Sequence, residues 1–129
     1  MRELKEVETW FLSARRTYDD KSRGRERHTV AVAQTIHALF RANDALTVRL
    51  LNRRSTRHDD AAKLFSDLVR YNNIDPKYAG FRELAIKAVS EKSKYDYKGT
   101  EVSAKVAARW INDTERFISA VKEIIQRGK

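Results

Sequence analysis

The chain has 129 residues, 41% hydrophobic and 9% aromatic, with 27 Lys and Arg against 18 Asp and Glu and a formal charge of +9. This size and apolar content predict one folded domain over residues 1–129 with a modest core, and they argue against a disordered chain. The absence of cysteine excludes disulfide frameworks and thiolate metal sites, and a reducing, cytoplasmic setting is expected.

The opening MRELKEVETW is charged from its second residue, so no secretory leader is expected. No apolar run approaches the roughly 20 residues that span a bilayer. The positive charge is uneven. From Arg15 to Arg57 eleven Lys and Arg (Arg15, Arg16, Lys21, Arg23, Arg25, Arg27, Arg41, Arg49, Arg53, Arg54, Arg57) face four acids, Asp19, Asp20, Glu26 and Asp44. That segment carries +7, and the remainder carries sixteen bases and fourteen acids. A concentrated positive field attracts polyanions or acidic partners, although a merely solubilising basic face has the same composition.

The apolar spacing is helical throughout. Leu4, Val7, Phe11, Ala14 and Tyr18 step by three and four along one face of a first helix. It is expected to fade at DDKSRGRER, where Gly24 and packed charges predict a loop. A second, longest helix follows over about residues 29–51. Val32, Ile36, Leu39, Asn43, Leu46 and Leu50 form a heptad seam with one polar member, and Ala33, Phe40, Val48 and Leu51 form a neighbouring stripe. Apolar over more than half its girth, this helix must be covered on two sides, at the centre of a bundle or in a dimer interface. Asn43 either fixes register or enters a polar pocket with Asp44.

A third helix is predicted over about 57–71, burying Ala61, Ala62, Phe65, Leu68 and Val69, with Thr56 and Asp59 spaced as a capping box. YNNIDPKYAG reads as a loop, and a fourth helix over about 78–93 uses Phe81, Leu84, Ala85, Ala88 and Val89. KSKYDYKGTEV is the next connection, with Thr100 as the expected N-cap of a last helix over about 101–126. That helix presents Val102, Val106, Trp110, Phe117, Val121 and Ile124, with Ile111, Ile118 and Ile125 alongside. The predicted fold is all-α, an antiparallel four- to five-helix up-and-down bundle.

No glycine-rich phosphate loop, HExxH motif, Cys/His cluster or nucleophile elbow is present. His28, His37 and His58 are far apart in sequence, and neither a metal nor a cofactor is expected. His37 lies beside apolar residues and reads as packed or partly buried, whereas His28, near Arg25 and Arg27, reads as solvated.

The stretch RRSTRHDD, residues 53–60, breaks the apolar pattern between the second and third helices. Imidazole titrates near neutrality, which suits His58 to proton transfer. Arg53, five residues earlier at the end of one helix, can converge with His58 across a tight turn. The amides opening the third helix add an anion-binding element. Such a set suffices to bind a phosphodiester and assist attack by a ribose 2′-hydroxyl without a metal. Asp59 and Asp60 oppose that field. Arg49, Arg54 and Arg57 are the candidates for holding flanking phosphates.

Two longer stretches, IHALFRANDALTVRLLNRRSTRHDDAAKLF and KYDYKGTEVSAKVAARWINDTERFISAVKEII, together resemble the HEPN family of small prokaryotic helical bundles. The first runs an alanine-rich helix with Asn-Asp-Ala-Leu into a short linker, a histidine and a third helix. The second places Tyr95 and Tyr97 before a final helix with Ala104, Ala107 and Ala108, then Thr114-Glu115-Arg116-Phe117. The resemblance covers about half the chain. It implies a bundle that commonly dimerises and is often encoded beside a minimal nucleotidyltransferase. Many members are metal-independent endoribonucleases of toxin or defence type. Their signature is an Arg and a His separated by four to six residues, two such motifs meeting at a dimer interface. Arg53 and His58 match that spacing. Arg54 stands where a small polar residue such as Asn is common, and Asp59 where a Tyr is common.

The resemblance thus implies His58 as acid/base and Arg53 as phosphate clamp. Its alternative is a non-catalytic module that binds a nucleotidyltransferase partner, a nucleotide or RNA, with His58 as a helix-cap residue.

Overall fold

The computed structural model describes residues 2–53, 60–71, 74–96 and 100–127. These form five α-helices, α1 (Arg2–Asp19), α2 (Glu26–Leu51), α3 (Asp60–Arg70), α4 (Phe81–Asp96) and α5 (Ala104–Arg127), and a 3-10 turn at Pro76–Tyr78. No strand occurs among the described residues, and none of their helices is long and apolar enough to cross a membrane.

The expected double coverage of the second helix is met at the centre of the helical core. α2 packs against all four other helices, most extensively against α1 and then α5. Val32, Ile36, Leu39, Asn43 and Leu46 of the seam are buried, and Leu50 is half-buried at the end. The small Ala31, Ala38, Ala42 and Ala45, all fully buried, leave little side-chain bulk between α2 and its neighbours. α1 contributes Val7 and Ala14, with Leu4, Phe11 and Tyr18 packed at the core margin. Half-buried His37 stacks on Trp10 of α1, ring centroids 4.8 Å apart.

α5 supplies the largest side chains. Trp110 and Phe117 are buried; Phe117 meets Phe65 of α3 edge-on at 5.8 Å and Phe81 of α4 at 5.3 Å. Such tilted arrangements suit the ring quadrupoles and add to the apolar burial that holds the helices together.

Several ends differ from the sequence expectation because local capping chemistry decides them. The fourth helix does not start at Tyr78. The Asp75 carboxylate accepts the Lys77 N–H at 2.9 Å, Pro76 occupies the first position, and the chain makes one 3-10 turn before α4 begins at Phe81. Nor does Thr100 cap the last helix. Ser103 does so, its hydroxyl accepting the Val106 N–H at 3.1 Å, and α5 starts three residues later than expected. The predicted capping box of Thr56 and Asp59 lies outside the described residues.

Candidate functional site

The predicted site sits at the C-terminal end of α2. Asn52 ends the helix in the left-handed conformation (φ 53°, ψ 36°). Asn tolerates that region better than most residues, so the helix stops without a glycine. Asn52 N–H donates to the Val48 carbonyl at 3.0 Å, and Arg53 N–H to the Thr47 carbonyl at 3.3 Å. The apolar pattern breaks at RRSTRHDD, and the residue that ends the helix is Asn52, just before Arg53.

Arg49, in the last turn of α2, and Arg53, just beyond it, are exposed. Neither side chain has a hydrogen bond or ion pair among the described residues. A cation in the last turn also suits the negative end of the helix. Arg54, Arg57 and His58 lie outside the described residues, and of the predicted set the structure describes Arg49 and Arg53.

Asn43 reaches from α2 to the start of α3. Fully buried, it donates from Nδ2 to the Ala61 carbonyl at 2.9 Å. The polar member of the seam therefore ties α2 to the first turn of α3. Its Oδ1 has no hydrogen-bond partner. Asp44 is buried beside it in sequence. Asn52 and Ala61, which flank residues 54–59 in sequence, are thus both hydrogen-bonded to α2.

The other basic residues between Arg15 and Arg57 do not form one uniform patch. Arg27 donates to the carbonyls of Tyr18, Arg23 and Gly24 at 3.0–3.1 Å, holding the α1–α2 loop. Arg15 pairs with Glu115 and lies over the Phe11 ring. Arg23 pairs with Asp20 at 3.1 Å, and Arg41 with Glu6 at 3.5 Å. These four cations are committed to the fold.

A second arrangement, at the opposite end of α2, was not foreseen. His28 is buried, 8% exposed, and not solvated as its basic neighbours implied. It lies 5.7 Å from the Tyr18 ring. Thr29 beside it donates to the Thr100 carbonyl at 2.8 Å, pinning α2 to the α4–α5 connection. Tyr18 hydroxyl donates to the Ala104 carbonyl at 3.2 Å. His28, Thr29 and Ala104 also line a cleft of about 900 Å³, together with Arg25, Tyr95, Glu101 and Ser103. The four-residue step from His28 to Val32 extends the buried seam toward the N-terminus, and that was the available sequence signal. With a rise of 1.5 Å per residue, His28 and Arg49 are about 32 Å apart along α2.

Among the described residues no group of three or more His, Asp or Glu side chains is placed to hold a metal ion. In comparisons with known proteins, no family model and no curated protein matches this chain.

Proposed function

We propose that the chain is a HEPN-like antiparallel helical module acting on RNA, with the Arg53–His58 linker as its working element. The observation that carries this reading is the pair of exposed arginines, Arg49 and Arg53, at the C-terminal end of α2. Asn52 and Ala61, which flank residues 54–59 in sequence, are hydrogen-bonded to α2, and neither Arg49 nor Arg53 makes an ion pair among the described residues. Such exposed cations suit phosphodiester binding, because they position a backbone without breaking existing ion pairs. In this reading Arg53 clamps the scissile phosphate, and His58 moves a proton to or from the attacking 2′-hydroxyl and the leaving 5′-oxygen. Arg49, Arg54 and Arg57 hold neighbouring phosphates. A homodimer places two such linkers along one groove.

Purified protein incubated with RNA in the presence of chelator tests it. Cutting by the wild type that is lost in both Arg53→Ala and His58→Ala is the expected result. Intact RNA in the wild type, with retained salt-sensitive RNA binding, instead favours a non-catalytic HEPN module. Co-purification with a nucleotidyltransferase would extend that module reading to a protein partner.

A further inference from the structure

Two polar side chains on the buried face of α5 have no hydrogen-bond partner among the described residues. Trp110 is 2% exposed and Thr114 0%, and both the indole Nε1 and the hydroxyl Oγ1 are orphaned. Thr114 follows Trp110 by four residues, so the two stand one turn apart on the same side of the helix. The other orphaned atoms, Gln34 Oε1 and Asn43 Oδ1, lie on α2.

The remaining chemistry of both side chains is already used. The Lys87 ammonium lies over the Trp110 ring, 4.7 Å from its centroid, and the Tyr95 ring meets it edge-on at 6.4 Å. These contacts engage the π-system and leave the N–H, which only donates. Thr114 differs from other hydroxyls within helices. Thr35 donates to the Ala31 carbonyl at 2.7 Å, Ser66 to the Ala62 carbonyl at 2.9 Å and Thr9 to the Lys5 carbonyl at 3.0 Å, each one turn back along its own helix. Thr114 has the same option in the Trp110 carbonyl and does not take it. A buried hydroxyl without that bond is open both as donor and as acceptor.

The surroundings define what can meet these groups. Ala107, Ile111, Phe117 and Val121, from the same helix, are all buried apolar residues. Neither Trp110 nor Thr114 lines any of the described surface clefts, so a guest that reaches both is enclosed and small. A bare ion is costly to bury, and a cation would also meet an N–H donor and the Lys87 ammonium. Water fits each requirement. It accepts from the indole and both donates to and accepts from the hydroxyl, and internal waters hold about two to four such bonds. Buried polar groups are almost always satisfied in this way when the chain itself supplies no partner.

We infer that Trp110 and Thr114 together bind one ordered water inside the helical core. The water accepts from Nε1–H and is hydrogen-bonded to Oγ1, and the second lone pair of the Trp110 carbonyl is a further acceptor for it. The site is independent of the RNA reading given above.

A high-resolution crystal structure of the full chain tests the assignment directly. The expected result is one water within about 3.2 Å of both Trp110 Nε1 and Thr114 Oγ1. No water there, a water that reaches only one of the two atoms, or a Thr114 hydroxyl turned onto the Trp110 carbonyl overturns it. Thr114→Val gives a second readout, because it keeps the branched shape and exchanges the hydroxyl for a methyl. A hydroxyl that holds the water makes this variant lose hydrogen bonds, and its melting temperature is expected to fall by about 4 °C. A truly orphaned hydroxyl requires the opposite sign, since the methyl removes a desolvated polar group. A melting temperature that is unchanged or raised therefore overturns the site as well.

Discussion

At its N-terminal end α2 carries Arg25, Arg27 and His28, and at its C-terminal end Arg49 and Arg53, followed by the linker that holds His58. The residue types match, but their circumstances do not. At the first end Arg27 is spent on three backbone carbonyls and His28 is buried against Tyr18. At the second, Arg49 and Arg53 are exposed and make no ion pair among the described residues. A concentration of positive charge in sequence is therefore not one surface. Part of it holds a loop together, and part is available to a polyanion. The distinction depends on which carbonyls and carboxylates the fold brings near each guanidinium.

The strongest test of this contrast is catalytic. His58→Ala is expected to lower metal-independent RNA cleavage by at least about a hundredfold, the usual contribution of a positioned acid/base group. Tyr95→Phe, at the other end of α2, should leave cleavage unchanged, because sites so far apart act independently. Equal losses in both variants would erase the division between the two ends.

Next in size is the tie between α2 and α3. Asn43→Ala removes a buried hydrogen bond and opens a small cavity, and a loss of about 2–3 kcal/mol is expected in denaturant unfolding. Asn43→Leu fills the space and leaves no orphaned Oδ1, so it should lose less stability than Asn43→Ala. If it nevertheless abolishes RNA cleavage, the tie serves the linker's geometry as well as stability.

Ser103→Ala removes the N-cap of α5 and should cost about 1 kcal/mol, read from the same unfolding curves. The equivalent change at Thr100 should cost less, since its side chain does not cap the helix.

A smaller effect separates free from committed cations. Arg49→Ala and Arg53→Ala should each reduce the slope of log affinity for RNA against log salt by about one. Arg27→Ala should leave that slope unchanged while loosening the α1–α2 loop. A slope that falls equally in all three variants would mean that the basic segment acts as one patch after all.

The smallest expected effect is at Asp20, in the same loop. Hydrogen bonds from the Ser22 hydroxyl and amide, then the Arg23 guanidinium, hold its carboxyl below the usual range. A depressed folded-state value means that this contribution is present at neutral pH, above the unfolded carboxylate pKa. It is lost as pH falls through the folded value. NMR titration of the carboxyl should therefore show a midpoint below that of a model aspartate, and Ser22→Ala should move it back up.

Much of the fold was legible because helical packing repeats. Val32, Ile36, Leu39 and Leu46 announced a buried face through their spacing alone, and so did Trp110, Phe117 and Val121. Helix ends were less legible, because a cap depends on one side chain reaching one N–H. Thr100 reads as the cap in sequence, yet it is the Ser103 hydroxyl that reaches the Val106 N–H. Of the predicted site, the spacing of Arg53 and His58 was visible from the start. The left-handed stop at Asn52 and the Asn43–Ala61 bond were not.

By itself the sequence determined the helical class, the need to cover α2 on two sides and the excess of positive charge between Arg15 and Arg57. Periodicity and composition are local properties that survive without knowledge of neighbours. Tertiary structure alone decided that Asn43 reaches the Ala61 carbonyl, that Arg27 is consumed within a loop, and that His28 and Tyr95 line one cleft. Each of these joins groups from different elements or across a turn, and hydrogen bonding and burial act on spatial proximity, which apolar spacing along one helix does not encode.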